Sequence, residues 1–357
     1  MQASPKPTLE GARRAGPPSG GRCDGPSAVS VHAPGRLHLG FLDPSATLGR
    51  RFGGIGMMIE STATTVRLAH AGVQRIEAAP SARHEVARAG RIVAELQSAT
   101  GLHHRLDVQI TAGLPAHVGL GSGTQLALAV GRAFSQLHGL QLATPALARL
   151  MGRGGRSGIG IAGFDHGGVL VDGGPRPGAD APPVLARLDF PQAWRVVLVQ
   201  EPGRSGLHGE SELQGIARLP AFPQPQAAHL CHLVLMQILP ALAEREFAPF
   251  ARGLSELQRQ VGEYFAPVQG GVFTSPRIGR LMDWIAGRHE AGLGQSSWGP
   301  TAFAIVASDT DAQRLIAAAD AAGAIEAGLE LRVVAGRNEG AEVVSQLFTA
   351  SGATRAA

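Results

Sequence analysis

Apolar and polar positions alternate with a period of two over residues 104–111, where Leu106, Val108 and Ile110 are separated by Asp107 and Gln109. That period belongs to a strand with one buried face. Further on the period lengthens: Leu126, Val130, Ala133 and Leu137 recur at helical spacing, and Gly139 stands where a glycine closes a helix. Between the two lies a stretch with neither period, residues 114–124, carrying Gly119, Gly121 and Gly123 with Ser122 and Thr124 as candidate N-cap hydroxyls. A glycine-rich loop that opens a helix presents backbone N–H groups at the positive end of the helix dipole, which is an anion site. It is not a Walker loop, because Thr124 stands where the lysine belongs and Lys6 is the only lysine in the chain. Nor is it a dinucleotide fingerprint, whose third glycine is again replaced by Thr124.

The same patterning predicts strands over 28–32, 63–70 and 72–78, and a helix over 83–99 closed by Gly101. A helix follows with Thr144 as N-cap and Pro145 in its first turn, then a buried strand at 168–172 and a proline-rich surface loop at 173–183. Beyond it come a strand at 194–200, helices at 227–245, 249–264, 276–289 and 310–322, and strands at 301–307 and 329–335. Strands separated by helices of this length make layered α/β domains. The reading is an N-terminal phosphate-binding domain over 28–190 and a C-terminal α/β domain over 191–348. Residues 1–27 are rich in Pro, Gly, Ser and Arg and too poor in large apolar side chains to offset ordering entropy, so they are expected to be a disordered tail. The end beyond Thr349 is expected to fray.

Composition narrows the function. With 17% charged and 44% hydrophobic residues, and no apolar run seen that nears the roughly 20 residues of a membrane span, a soluble protein without a membrane partner is expected. The pI near 9.9 rests on arginine without a basic block, which suits anionic small molecules better than nucleic acid. Two cysteines, Cys23 and Cys231, form no disulfide framework and no zinc spacing, as in a reducing cytoplasm. His229, Cys231 and His232 lie in an apolar helix and read as core residues, and no metal-ligating residue is assigned. Residues 34–56 read as a loop that gathers Arg36, His38, Asp43, Arg50 and Arg51. Guanidinium forks match phosphate oxygens bidentately, so a phosphorylated substrate is the expectation.

The spacing P-x-x-x-G-L-G-S from Pro115 to Ser122 resembles the central motif of the GHMP kinase superfamily. Ala33-Pro34-Gly35-Arg36 resembles its opening motif, and residues 294–304 (GQSSWGPTAFA) resemble its C-terminal glycine loop. HLGFLD from His38, GRRFGGIG from Gly49, RSGIG from Arg156, FDHGGVLVDGG from Phe164 and GQSSWGP from Gly294 are similar to the β-ribofuranosylaminobenzene 5′-phosphate synthase family. The resemblance implies a two-domain GHMP-kinase-like α/β fold, ribosomal-S5-domain-2-like and then ferredoxin-like. It implies joining of 5-phosphoribosyl diphosphate to 4-aminobenzoate or 4-hydroxybenzoate, with loss of diphosphate and CO2, in tetrahydromethanopterin biosynthesis. Mg²⁺ would accompany the diphosphate, and no ATP is expected. By resemblance Asp43 and Arg50 carry catalysis, Asp43 stabilising the ribosyl cation. Arg36, His38, Gly119, Gly121, Ser122, Gly123, Thr124, Arg156, Ser157, Gln295, Ser296, Ser297 and Trp298 bind substrate, with Trp298 suited to wall an aromatic ring. The superfamily's kinases continue the motif at Ser157-Gly158-Ile159 with a hydroxyl-activating aspartate; here that position is Gly160, and Asp165 lies five residues on in a different turn. Two other classes stay open: an ATP-dependent small-molecule kinase with a relocated base, and a non-catalytic binding protein of the same fold. The expected partners are the small-molecule substrates and a second copy of the chain in a homodimer.

Overall fold

A computed structural model describes residues 26–176, 179, 181–206 and 209–347. The expected tail, apart from Pro26 and Ser27, lies outside the described residues together with Cys23, and so does the end beyond Thr349. The long run of β-branched and aliphatic residues after Gly25 forms strand β1 (Pro26–Asp43), which a turn joins to β2 (Phe52–His70). The segment read as a loop from 34 to 56 is therefore mostly sheet. Its glycines do not loosen the strands but supply bulges, at Ala33/Gly35 and His38/Gly40, where the β1–β2 register shifts. Gly40 sits at φ 142°, and a Cβ there would lie 2.2 Å from Leu257 Cδ2.

After β3 (Arg75–Ala78) a 3-10 turn at Pro80–Glu85 leads into α1 (Val86–Thr100), capped by Gly101 at φ 70°. Strand β4 (Leu106–Ala112) and helix α2 (Ser122–Leu137) follow as the periods predict. Helix α2 is buried around most of its circumference, the pattern of a central helix. It packs on β1 and β2 in one core with Val29, Val31, Val66, Leu68 and Val108. Next come α3 (Thr144–Leu150), α4 (Ile159–His166), β5 (Val169–Asp172) and β6 (Val184–Leu188). Thr144 is not the N-cap of α3. Ala143 is, and the Thr144 hydroxyl instead donates to Asp165 at 2.6 Å.

The second half holds β7 (Arg195–Gln200), α5 (Gly209–Arg218), α6 (Gln224–Leu233), α7 (Leu239–Glu244), α8 (Phe247–Gln269) and α9 (Pro276–Ala286). It closes with β8 (Gly292–Gln295), β9 (Ala302–Val306), α10 (Asp309–Ala321), β10 (Glu330–Gly336) and β11 (Glu342–Leu347). Strands β10-β7-β9-β8 stand side by side as in a ferredoxin-like unit, with α9 and α10 packed on one face and α6 and α8 on the other. One helical stretch, Gln224–Glu244, is long and apolar enough by length and composition to cross a membrane. Its inner face, with Leu230, Val234, Ile238 and Leu242, is part of the core under β1 and β7. His229, Cys231 and His232 are exposed on its outer face, against the core reading.

The two halves share a sheet. β2 pairs with β1, β4, β5 and β10, and the last strand, β11, returns across the first half to pair with β1 from His32↔Glu342 to Pro26↔Leu347. Strands β6, β8 and β11 carry no clear period-two signal: β8 reads Gly-Leu-Gly-Gln and is wholly buried.

Candidate active site

Arg36 and His38 are two apart on β1, so both project from the same face of the sheet. They meet the loop that leads into α2. Arg36 N–H donates to the Leu120 carbonyl at 3.0 Å, and its Nη1 donates to the Gly119 carbonyl at 2.6 Å. From the other half, Ser296 ties the same parts together: its Oγ accepts from the His38 N–H at 2.9 Å and donates to the Gly119 carbonyl at 2.7 Å. Gly119, at φ 89°, is required for that approach, since a Cβ would stand 2.4 Å from the Ser296 carbonyl oxygen.

Around this junction lies a cavity of about 450 Å³. Of the residues singled out in the sequence, Arg36, His38, Gly119, Thr124, Arg156, Ser157, Ser297 and Trp298 line it. Gly121, Ser122 and Gly123 form the turn behind, where α2 starts. Gly121, at φ 82°, is the N-cap, with no side-chain capping bond, so Ser122 and Thr124 do not cap the helix. The first N–H groups of α2 have no partner within the helix, as at any helix start. Gln295 lies behind the wall, its side chain holding Thr274 N–H at 2.7 Å while its own N–H donates to Gln258 Oε1 at 2.9 Å.

Asp43 and Arg50 are placed outside the cavity. Asp43 accepts from the Ser45 N–H at 3.2 Å and from the Thr47 N–H and hydroxyl, both at 2.7 Å, so its carboxylate closes the β1–β2 turn. Arg50 is exposed and donates to the Gly174 carbonyl at 3.1 Å. The turn does carry Arg51 to the rim of a second cleft of about 700 Å³, which also holds Arg149, Arg153, Arg156 and Arg176 and shares the Gly152–Arg156 segment with the first.

The electrostatics are one-sided. Burial and the neighbouring Arg156 guanidinium lower Arg36 to about 10, leaving it charged at neutral pH. Burial also lowers Arg153 and Arg156. His38 is pushed down to about 3 by burial, then by Arg36 and Arg156, so its ring is neutral, and its Nε2 makes no hydrogen bond within the protein. Arg153 Nη1 lies 3.3 Å from where a Cβ of Gly123 would be, at the positive end of α2. Among the described residues that line the first cavity, Glu212 on α5 is the one carboxylate, and it is paired with Arg156. Three guanidiniums gathered at a helix N-terminus repel one another and the dipole, and an anion relieves that repulsion.

Aromatic side chains, Phe41 and Trp298, also line the cavity. Trp298 packs on Phe265 with ring centres 4.6 Å apart, Phe265 on Phe41 at 6.1 Å, and Phe41 on His38 at 4.4 Å. Buried Asp172 props the floor, accepting from the Ser157 hydroxyl and the Gly158 and Gly174 N–H groups, each at 2.9 Å; burial raises it against those donors. Arg153, Glu212, Asp172 and Phe41 are not among the residues singled out from the sequence. Arg153 has a visible cue in the glycine-flanked repeat Arg153-Gly154-Gly155-Arg156, and Asp172 and Phe41 lie within the family-like stretches FDHGGVLVDGG and HLGFLD, whereas Glu212 has none. At Gly160 a Cβ would lie 3.4 Å from Thr124 Cγ2, so the position held by the kinase aspartate does face the anion loop. Asp165 is turned away toward Thr144 and Arg132 and does not take its place.

A glycine loop at the start of a buried helix, set against a ferredoxin-like half, defines a member of the GHMP kinase class. Residues 86–169 match the GHMP kinases N terminal domain and 238–325 the GHMP kinases C terminal model. Among solved structures, homoserine kinase from Cytophaga hutchinsonii aligns with a TM-score of 0.64 at 17% identity over 89% of this chain and 98% of its own. Mevalonate diphosphate decarboxylase from Staphylococcus aureus aligns at 0.63 and 13%, with the same coverage. These likenesses concern the fold. Closer in sequence, the beta-ribofuranosylphenol 5'-phosphate synthase of Archaeoglobus fulgidus is 35% identical over 79% of this chain and 88% of its own length. The protein of that name from Methanothermobacter thermautotrophicus is 31% identical over 88% and 98%. The chain belongs to the beta-ribofuranosylphenol 5'-phosphate synthase family and is an enzyme of the transferase kind.

Proposed function

We propose that the enzyme joins the ribose of 5-phosphoribosyl diphosphate to the ring of a 4-substituted benzoate, in tetrahydromethanopterin biosynthesis. The observation that carries this reading is one cavity lined both by guanidiniums, Arg36, Arg153 and Arg156, and by aromatic rings, Phe41 and Trp298. The relatives' name specifies a phenol, which favours 4-hydroxybenzoate over 4-aminobenzoate as ring donor. In the reaction the ring carbon bearing the carboxylate bonds to ribose C1. The C1–O bond breaks with its electron pair leaving on diphosphate, and the carboxylate departs as CO2, returning its bonding pair to the ring. The guanidiniums and the α2 amides hold the diphosphate and take up its growing charge. Trp298 and Phe41 clamp the ring face and keep water from the ribosyl centre.

The residues present fit a magnesium ion that arrives on the diphosphate, since among the described residues the one carboxylate lining the cavity, Glu212, is already engaged by Arg156. Bound there, Mg²⁺ would neutralise the departing diphosphate, and the Thr124 hydroxyl, which lines the cavity, is the group placed to help hold it. The enzyme is expected to act without ATP, in the cytoplasm. The test is an assay of pure protein with phosphoribosyl diphosphate, Mg²⁺ and each benzoate, and separately with ATP and small alcohols. Equal release of diphosphate and CO2 is expected. ADP formation at about 1 per second or faster would replace this reading by a kinase, and inertness in both assays by a binding protein.

A further inference from the structure

At the far end of α2, about 24 Å from the anion loop, three histidines from separate segments converge. His70 ends β2, His104 lies between α1 and β4, and His138 is the C-cap of α2. One ring nitrogen from each lies within 4.8 Å of the others. The rings of His104 and His138 are stacked 5.2 Å apart, and His70 stands edge-on to both, at 5.4 and 5.1 Å. None of the three touches the active site, and the proposed reaction uses none of them.

We propose that His70, His104 and His138 form a binding site for one divalent cation of the zinc class. Three features carry it. First, His138 Nδ1 is 2.9 Å from the Phe134 carbonyl, which can only accept, so the proton is on Nδ1 and the lone pair on Nε2. That Nε2 is buried and has no hydrogen-bond partner within the protein. A ring whose other nitrogen donates to a backbone carbonyl has the orientation of a metal-bound histidine, and the Leu137 carbonyl accepts from His70 in the same way. Second, an all-imidazole donor set without thiolate suits Zn²⁺, Ni²⁺, Co²⁺ or Cu²⁺ and not Mg²⁺. Three imidazoles and a water complete a tetrahedral shell at about 2.0–2.1 Å per Zn–N bond. His70 and His104 are exposed, with room to close their nitrogens onto the ion. Third, the negative end of the α2 dipole lies at His138 and favours a cation there. The bound ion would staple the ends of β2 and α2 to the loop before β4.

The experiment uses the full chain without an affinity tag. Zinc binding is measured by competition with a chelating dye, and Co²⁺ is added to read the coordination shell by its visible absorption. One tight equivalent is expected, with the intense visible bands of four-coordinate cobalt. His104→Ala and His70→Ala, both at exposed positions, should each weaken binding by at least about tenfold while synthase activity persists. His103→Ala, an exposed neighbour outside the cluster, should bind as the wild type does. The proposal is overturned if wild-type protein binds Zn²⁺ no better than His104→Ala does, or if His103→Ala loses as much affinity.

Discussion

Asp43 spends both carboxylate oxygens on its own turn, through Ser45 and Thr47, and none on the cavity. Its contribution is to hold the turn that presents Arg50 and Arg51. Asp43→Ala is therefore expected to cost about 1 kcal/mol of stability, as for loss of a capping carboxylate, and to raise KM for phosphoribosyl diphosphate more than it lowers kcat. Denaturant melts and steady-state kinetics read both, and a 10²–10³ loss confined to kcat would return Asp43 to the chemistry. His38 supplies a second residue-scale test. Its imidazole titrates near 6.5 when unfolded and near 3 when buried, so between those values the unfolded chain holds a proton that the folded chain lacks. The stability it confers is complete above pH 6.5 and falls on acidification toward pH 3, with a slope approaching about 1.4 kcal/mol per pH unit. Urea melts of wild type and His38→Gln at pH 7, 5.5 and 4.5 should show the variant losing less on acidification. Parallel losses would mean that His38 is solvated.

At the scale of the element, the start of α2 is set by a glycine and not by a hydroxyl. Hydroxyls at Ser122 and Thr124 suggested a side-chain cap, but Gly121 in the left-handed region turns the chain into the helix by itself. The loop glycines answer to neighbours that are remote in sequence. A Cβ at Gly121 would stand 2.9 Å from Arg36 Cγ, and one at Gly119 would meet Ser296. Gly121→Val should therefore act through Arg36, pushing its guanidinium off the Gly119 carbonyl, with about 1–3 kcal/mol of backbone strain added. A rise of about tenfold or more in KM for phosphoribosyl diphosphate is expected, with circular dichroism unchanged. An unaltered KM would place the diphosphate away from Arg36.

At the scale of the whole molecule, the halves are bound by shared strands: β10 joins β2 to β7, and β11 covers the open edge of β1. Ending the chain after Ala341 removes the ladder from His32↔Glu342 to Pro26↔Leu347, at about 1 kcal/mol net per lost hydrogen bond, and leaves a long strand edge open to association. A lower melting temperature and light-scattering aggregates are expected, and an equally stable, monodisperse protein would show that β11 is dispensable. The periods of the sequence by themselves determined β4, α2, α8 and α10, because a buried stripe repeats at 2 or 3.6 residues whatever lies opposite. The glycine loop, Arg36 and the Gly160 departure were equally legible, as local chemistry written in neighbouring residues. Only the tertiary structure decided that β1 continues through Arg36 and His38, that Asp43 closes a turn, and that Arg153, Glu212 and Asp172 belong to the site. It also brought together the histidines of β2, the loop before β4 and the end of α2. Each of these depends on partners from distant segments, and a side chain's contacts across the core leave no periodicity in its own stretch of sequence.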